Sequence, residues 1–150
     1  RENFAIPSKV DLPIDWKLGT SFELLIDVQI EDVDIFGVKV CVAPDGSEET
    51  VVAYDFTEQR LLIDTSRSGP DSAANSVESA PLPMDRMSSL RLRIFVDKSV
   101  VEVFANRKQA IARRIYPEQP QSTGIGLFSK GGQTQVDVLR GWKISPSNPY

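Results

Sequence analysis

Hydrophobic and polar residues alternate along most of this chain. From Ser21 to Ile30, Phe22, Leu24, Ile26, Val28 and Ile30 fall on one side, and Glu23, Asp27 and Gln29 on the other, with Leu25 the single exception. Successive side chains of an extended chain point to opposite faces, so this period of two predicts a strand with one face in a core. A helix would need apolar residues three and four apart, and that template fits worse. Phe36, Val38, Val40 and Val42 repeat the alternation ahead of the turn residues Pro44-Asp45-Gly46-Ser47. Cys41 alternates with that face and reads as a small packing residue. β-Branched and aromatic residues resume from Thr50 to Phe56, and Arg60 to Asp64 gives another short strand before Ser68-Gly69-Pro70.

Residues 70 to 89 hold Pro70, Pro81 and Pro83 among Ser and Ala, with no usable period. They read as a long surface connection within one core. The second half opens on the clearest hairpin. Leu90, Leu92, Ile94 and Val96 alternate with Arg91, Arg93, Phe95 and Asp97, and Val101, Val103 and Ala105 alternate with Val100, Glu102, Phe104 and Asn106. Folding the chain at Lys98-Ser99 sets Val96 against Val101, Ile94 against Val103 and Leu92 against Ala105. A slip by one residue would throw each apolar set to the other face, so the register is strongly specified. Arg93 then lies diagonal to Glu102, where an exposed ion pair is worth about 0–1 kcal/mol. Burial matters more: Ile94→Ala should cost roughly 2–5 kcal/mol in a urea unfolding experiment. Strands at Ala110–Tyr116, Gly124–Ser129 and Gln133–Leu139, the last running on towards Trp142 and Ile144, close the chain, with Lys130-Gly131-Gly132 as a turn. Many short strands with Gly/Pro turns predict an all-β fold, a two-layer antiparallel β-sandwich of lectin-like (concanavalin-like) type.

Composition narrows the chemistry. The 150 residues suit one domain. The absence of histidine excludes Ser-His-Asp and Cys-His catalysis and His-containing zinc sites within the chain. Cys41 is the single cysteine, so an internal disulfide and a Cys₄ site are excluded too. A net charge of −4 argues against a nucleic-acid partner, which binds through a basic face. No apolar run approaches the roughly 18 residues of a membrane-spanning helix, so no membrane partner is expected. The chain begins with Arg1 rather than Met, which leads us to expect a processed product or a piece of a longer chain.

Several motifs have bland readings that outweigh the chemical ones. The acidic stretch Glu31, Asp32 and Asp34 lacks calcium-loop spacing and its glycine, so it reads as a solvated turn and no metal is expected. The Gly124-Ile125-Gly126 and Gly131-Gly132 pairs lack the helix a phosphate-binding fingerprint needs; they read as hairpin glycines, and no cofactor is expected. Asp97 and Glu102 are the natural carboxylate pair for glycoside hydrolysis, but arginines lie within reach of both, so structural charge is the default. Trp16, Tyr54, Tyr116, Trp142 and Tyr150 offer rings for stacking on sugars, against a default of core packing.

The stretch Leu92-Arg93-Ile94-Phe95-Val96-Asp97-Lys98-Ser99-Val100-Val101-Glu102-Val103-Phe104-Ala105-Asn106 closely resembles the hallmark segment of one known module, the C-terminal β-sandwich of glycoside hydrolase family 32. That family includes invertases, levanases, inulinases and related β-fructofuranosidases. Arg114-Ile115-Tyr116-Pro117, Asp64-Thr65-Ser66-Arg67-Ser68-Gly69, Gly124-Ile125-Gly126-Leu127-Phe128-Ser129 and Trp142-Lys143-Ile144 resemble its other segments in order, so the likeness runs from about Phe22 to Ile144. The resemblance implies that catalysis belongs to an N-terminal five-bladed β-propeller, with its nucleophile in Asn-Asp-Pro-Asn, a second acid in Arg-Asp-Pro and a general acid in Glu-Cys. This sequence has no Asp-Pro and no Asn-Asp, and Cys41 follows Val40, so no catalytic residue carries over. It implies a single, non-catalytic accessory sandwich over residues 1–150 that packs on and stabilises the propeller, with a homodimer as one way such modules assemble. The alternative is a fructan-binding module, whose site would combine an aromatic platform with charged groups: Asp97, Glu102, Arg114 and Tyr116. A parent that degrades polymeric fructan would work outside the cell or in the periplasm.

Overall fold

A computed structural model of the chain describes residues 2–7, 11–29, 33–69, 76–85 and 89–144. Among these residues every regular element is a strand, and the twelve strands form two antiparallel six-stranded sheets. The first sheet runs, edge to edge, β1 (Glu2–Ile6), β12 (Thr134–Lys143), β3 (Ser21–Gln29), β8 (Ser89–Asp97), β9 (Val100–Ala105) and β10 (Gln109–Arg114). The second runs β2 (Asp11–Ile14), β11 (Gly124–Lys130), β4 (Ile35–Val42), β5 (Glu49–Asp55), β6 (Arg60–Arg67) and β7 (Val77–Pro81). The two layers bury one core between them, with Phe22, Leu24, Ile26, Ile94 and Val103 from one side and Phe36, Val38, Tyr54, Ile63 and Leu127 from the other. Tyr54 is fully buried and donates its hydroxyl to the Leu82 carbonyl, which satisfies the one polar atom its ring carries inward.

The hairpin register follows from the alternation. Leu92 faces Ala105, Ile94 faces Val103 and Val96 faces Val101, all fully buried. Lys98 takes φ +55° in the two-residue turn, and its N–H donates to the Thr20 carbonyl at 2.8 Å. Arg93 is diagonal to Glu102 as expected, but its ion pair is with Glu23 on β3, at 2.6 Å. Glu23 on β3 and Glu102 on β9 are both diagonal to Arg93, which lies between Leu25 and Phe104, and the guanidinium takes the β3 acid.

Other expectations need correction. The segment from 70 to 89 is not only a connection: Val77–Pro81 forms β7 and pairs with β6, which itself runs on to Arg67. Two further strands, β1 and β2, precede the first strand the pattern reveals. The Phe36-to-Val42 alternation breaks at Cys41, whose φ of +53° marks a bulge where the β4–β11 register shifts. A bulge opposes two residues to one and turns the chain. Cys41 therefore points into the core and Val42 is only half-buried. The last strands also shift slightly: β10 ends at Arg114, and Ile115 is buried beyond it. Ile30, Glu31, Asp32 and Tyr150 lie outside the described residues, so only Asp34 of the acidic stretch is placed, exposed in the bend before β4.

One open side of the sandwich is protected by an inward-pointing charge. On the β10/β7 side, Arg113 points inward and reaches Glu78 at 3.1 Å and the Ser76 hydroxyl at 2.8 Å, so the two edge strands are tied across the layers. An inward-pointing charge of this kind also blunts an edge against pairing with another chain.

Candidate functional site

The outer face of the first sheet gathers most of the residues singled out in the sequence. Strand pairing places Ser21, Asp97, Val100 and Arg114 in one row across β3, β8, β9 and β10. The next row holds Trp142, Glu23, Phe95, Glu102 and Ala112, and the one after it Arg140, Leu25, Arg93, Phe104 and Ala110. Asp97, Glu102 and Arg114 thus share one corner. Asp97 accepts a hydrogen bond from Ser21 Oγ at 2.8 Å. Glu102 has no ion pair among the described residues. Tyr116 stands apart, exposed beyond the end of β10, with its backbone carbonyl so close to Gly69 that a Cβ there would collide with it.

The same face carries apolar groups that the charge-based reading missed. Phe104 and Trp142 are 40% and 43% exposed, Ile144 is exposed two residues beyond Trp142, and Leu25 is 8% exposed. Phe95 meets Phe104 edge-to-face with ring centroids 5.9 Å apart. Their signal was present in the sequence: Leu25, Phe95 and Phe104 are the apolar residues at positions where the alternation demands polar ones. Around them the charges are paired in place, Arg91 with Asp27 through two 2.7 Å hydrogen bonds and Arg93 with Glu23. Such a surface, rich in Phe, Trp and Arg, has the composition of an interface core.

Of the other aromatic candidates, Tyr54 belongs to the core and Trp16 is half-buried at one end of the sandwich. At that end the 15–20 connection, the 43–48 turn and the 115–123 loop converge. Glu48, 6% exposed, accepts hydrogen bonds from Glu118 N at 2.8 Å, Gln119 N at 3.1 Å and Ser122 Oγ at 2.6 Å. Burial alone would raise its pKa, but these three donors outweigh it and hold the carboxyl below the usual glutamate value. Burial, and secondarily the Glu48 charge, push the Cys41 thiol up to about 12. It is therefore a neutral packing group rather than a nucleophile. Nothing in the sequence separates Glu48 from its neighbour Glu49, so this anchor was not legible there. Among the described residues no three Asp, Glu or Cys side chains gather as metal ligands would.

The fold and this surface define the class: a two-sheet lectin-like sandwich presenting a broad aromatic and ion-paired face. Residues 5–143 match the family described as "Glycosyl hydrolases family 32 C terminal". The chain belongs to that family. It is 36% identical over 110 residues to the extracellular exo-inulinase inuE of Aspergillus niger, covering 69% of this chain and 20% of that protein. It is 40% identical over 110 residues to the levanase of Bacillus subtilis, covering 69% of this chain and 16% of the levanase. The crystal structure of the exo-inulinase from Aspergillus awamori superposes with a TM-score of 0.80 at 25% identity, over 95% of this chain and 28% of that one. The chain thus spans about a fifth of the curated relatives it matches.

Proposed function

We propose that this chain is the non-catalytic accessory sandwich of a fructan- or sucrose-cleaving glycoside hydrolase, packed on the catalytic β-propeller of the same polypeptide and stabilising it. The observation that carries this reading is the outer face of the first sheet, where Trp142, Phe104 and Ile144 remain exposed beside Phe95 and Leu25. Several large apolar groups left exposed on one sheet face mark an interaction site on a soluble protein. Family membership, and relatives several times longer than this chain, support the identity of the partner. Calorimetric titration of this chain with the separately made propeller of the same parent should show tight binding, weakened by Trp142→Ala and Phe104→Ser. A flat trace overturns the reading.

The second reading is a fructan-binding module acting through Asp97, Glu102 and Arg114, with Tyr116 as a platform. It is favoured by the shared corner of Asp97, Glu102 and Arg114 and by the unpaired Glu102. Titration with levan and inulin separates the two readings. Heat at sub-millimolar sugar that Glu102→Ala abolishes would select this one, and activity of the chain alone on sucrose would overturn both.

A further inference from the structure

The end of the sandwich holds a cleft of about 840 Å³, within the range of small-molecule sites, bounded by the 15–20 connection, the end of β4, residues 121–125 and the end of β12. Its lining is mainly apolar, with Trp16 the one aromatic ring. Trp16 packs over Gly141, where a Cβ would come within 2.9 Å of ring atoms Cε3 and Cζ3, and the uncovered part of the indole lines the cleft. Asp15, Lys17, Gln121, Thr123 and Lys143 complete the rim. The sheet charges Lys39, Arg67, Arg91, Arg93 and Arg113 are engaged with acids. In contrast, among the described residues Asp15, Lys17 and Lys143 form no ion pair, and the Gln121 side chain makes no hydrogen bond.

We propose that this cleft binds a short, uncharged fructosyl oligosaccharide. A sugar ring has one C–H face and a rim of hydroxyls, each able to donate and accept. The indole of Trp16 suits the C–H face. Asp15 accepts from hydroxyls, the two lysines donate to them, and Gln121 and Thr123 do both. The wall bearing Gln121 and Thr123 is preorganised. Glu48 pins residues 118, 119 and 122, and Thr123 N–H donates to the Gln121 carbonyl at 2.8 Å. Burying a carboxylate is costly, and here it fixes the loop that carries the polar rim. The cleft lies outside the outer face of the first sheet, since Lys143 points to the opposite side of β12 from Trp142, so it stays open when that face is covered. The saccharide class rests on the cleft; the fructosyl type rests on the accessory-module reading above.

The test is a titration of this chain with 1-kestose, with maltotriose alongside, followed through the two indole N–H resonances. Saturable movement of Trp16 with 1-kestose, and not of Trp142, is expected. Asp15→Asn and Gln121→Ala, both at exposed positions, should each weaken binding about tenfold, the loss of one good contact. Trp16→Ala should abolish binding, and because it risks the fold, the two exposed variants decide. A Trp16 resonance unmoved by either sugar overturns the cleft and leaves the docking reading untouched. Movement with maltotriose alone keeps a saccharide site but overturns the fructosyl type, and movement of Trp142 alone overturns the cleft in favour of the sheet face.

Discussion

At the scale of single residues, two buried polar groups meet opposite fates. Glu48 is fully served by its three donors, so its folded-state pKa lies below the unfolded one. Its stabilising contribution is complete above the unfolded value, roughly pH 4.3 for glutamate, and is lost as pH falls through the lower folded value. Thermal melts of the wild type should therefore drop as pH is lowered across that window, and Glu48→Gln should be less stable at neutral pH with a flatter acid limb. Thr50 is the reverse case. Its hydroxyl is buried and, among the described residues, has no hydrogen-bond partner. An unsatisfied buried hydroxyl costs about 1–3 kcal/mol, and valine keeps the shape. Thr50→Val should raise the urea midpoint, by about 1 kcal/mol in stability.

At the scale of elements, the turn between β9 and β10 runs against residue preference. Asn106 and Arg107 take φ of +52° and +57°, and Lys108 N–H closes onto the Ala105 carbonyl at 3.0 Å. This left-handed pair is what a type I′ turn uses, and Gly is the favoured second residue. Left-handed backbone costs a non-glycine roughly 1–2 kcal/mol, while glycine gives back about 0.5–1 kcal/mol in unfolded-chain entropy. Arg107→Gly should thus stabilise the protein by about 0.5–1 kcal/mol, read as a higher Tm. The β8–β9 register was fully legible because two long alternating runs flank a short turn, leaving one pairing that buries both apolar sets. Strands β2 and β7 were not, because each is an edge strand: β2 buries only Ile14 and contains Pro13, and β7 buries no residue fully. Edge strands take their shape from a neighbour's hydrogen bonds more than from their own pattern. The corner of Asp97, Glu102 and Arg114 came from the hairpin register, whereas the Trp16 cleft depends on loops converging from four separate stretches.

At the scale of the whole molecule, half of the strand pairings join distant segments, among them β1 with β12, β2 with β11 and β3 with β8. Loop closure must be completed before such contacts reward it, so folding in milliseconds to seconds is expected by stopped-flow fluorescence. The same interleaving means that neither sheet is assembled until chain from both halves is present, which supports a single cooperative unit. The Cys41 bulge gives that unit an intrinsic reporter. As the chain's one thiol, buried beneath the 117–122 loop and held neutral there, it is open to a dissolved alkylating reagent chiefly when that end of the sandwich loosens. The pace of its capture is thus a clock for spontaneous breathing of the native sandwich, readable by mass spectrometry without any substitution in the sequence.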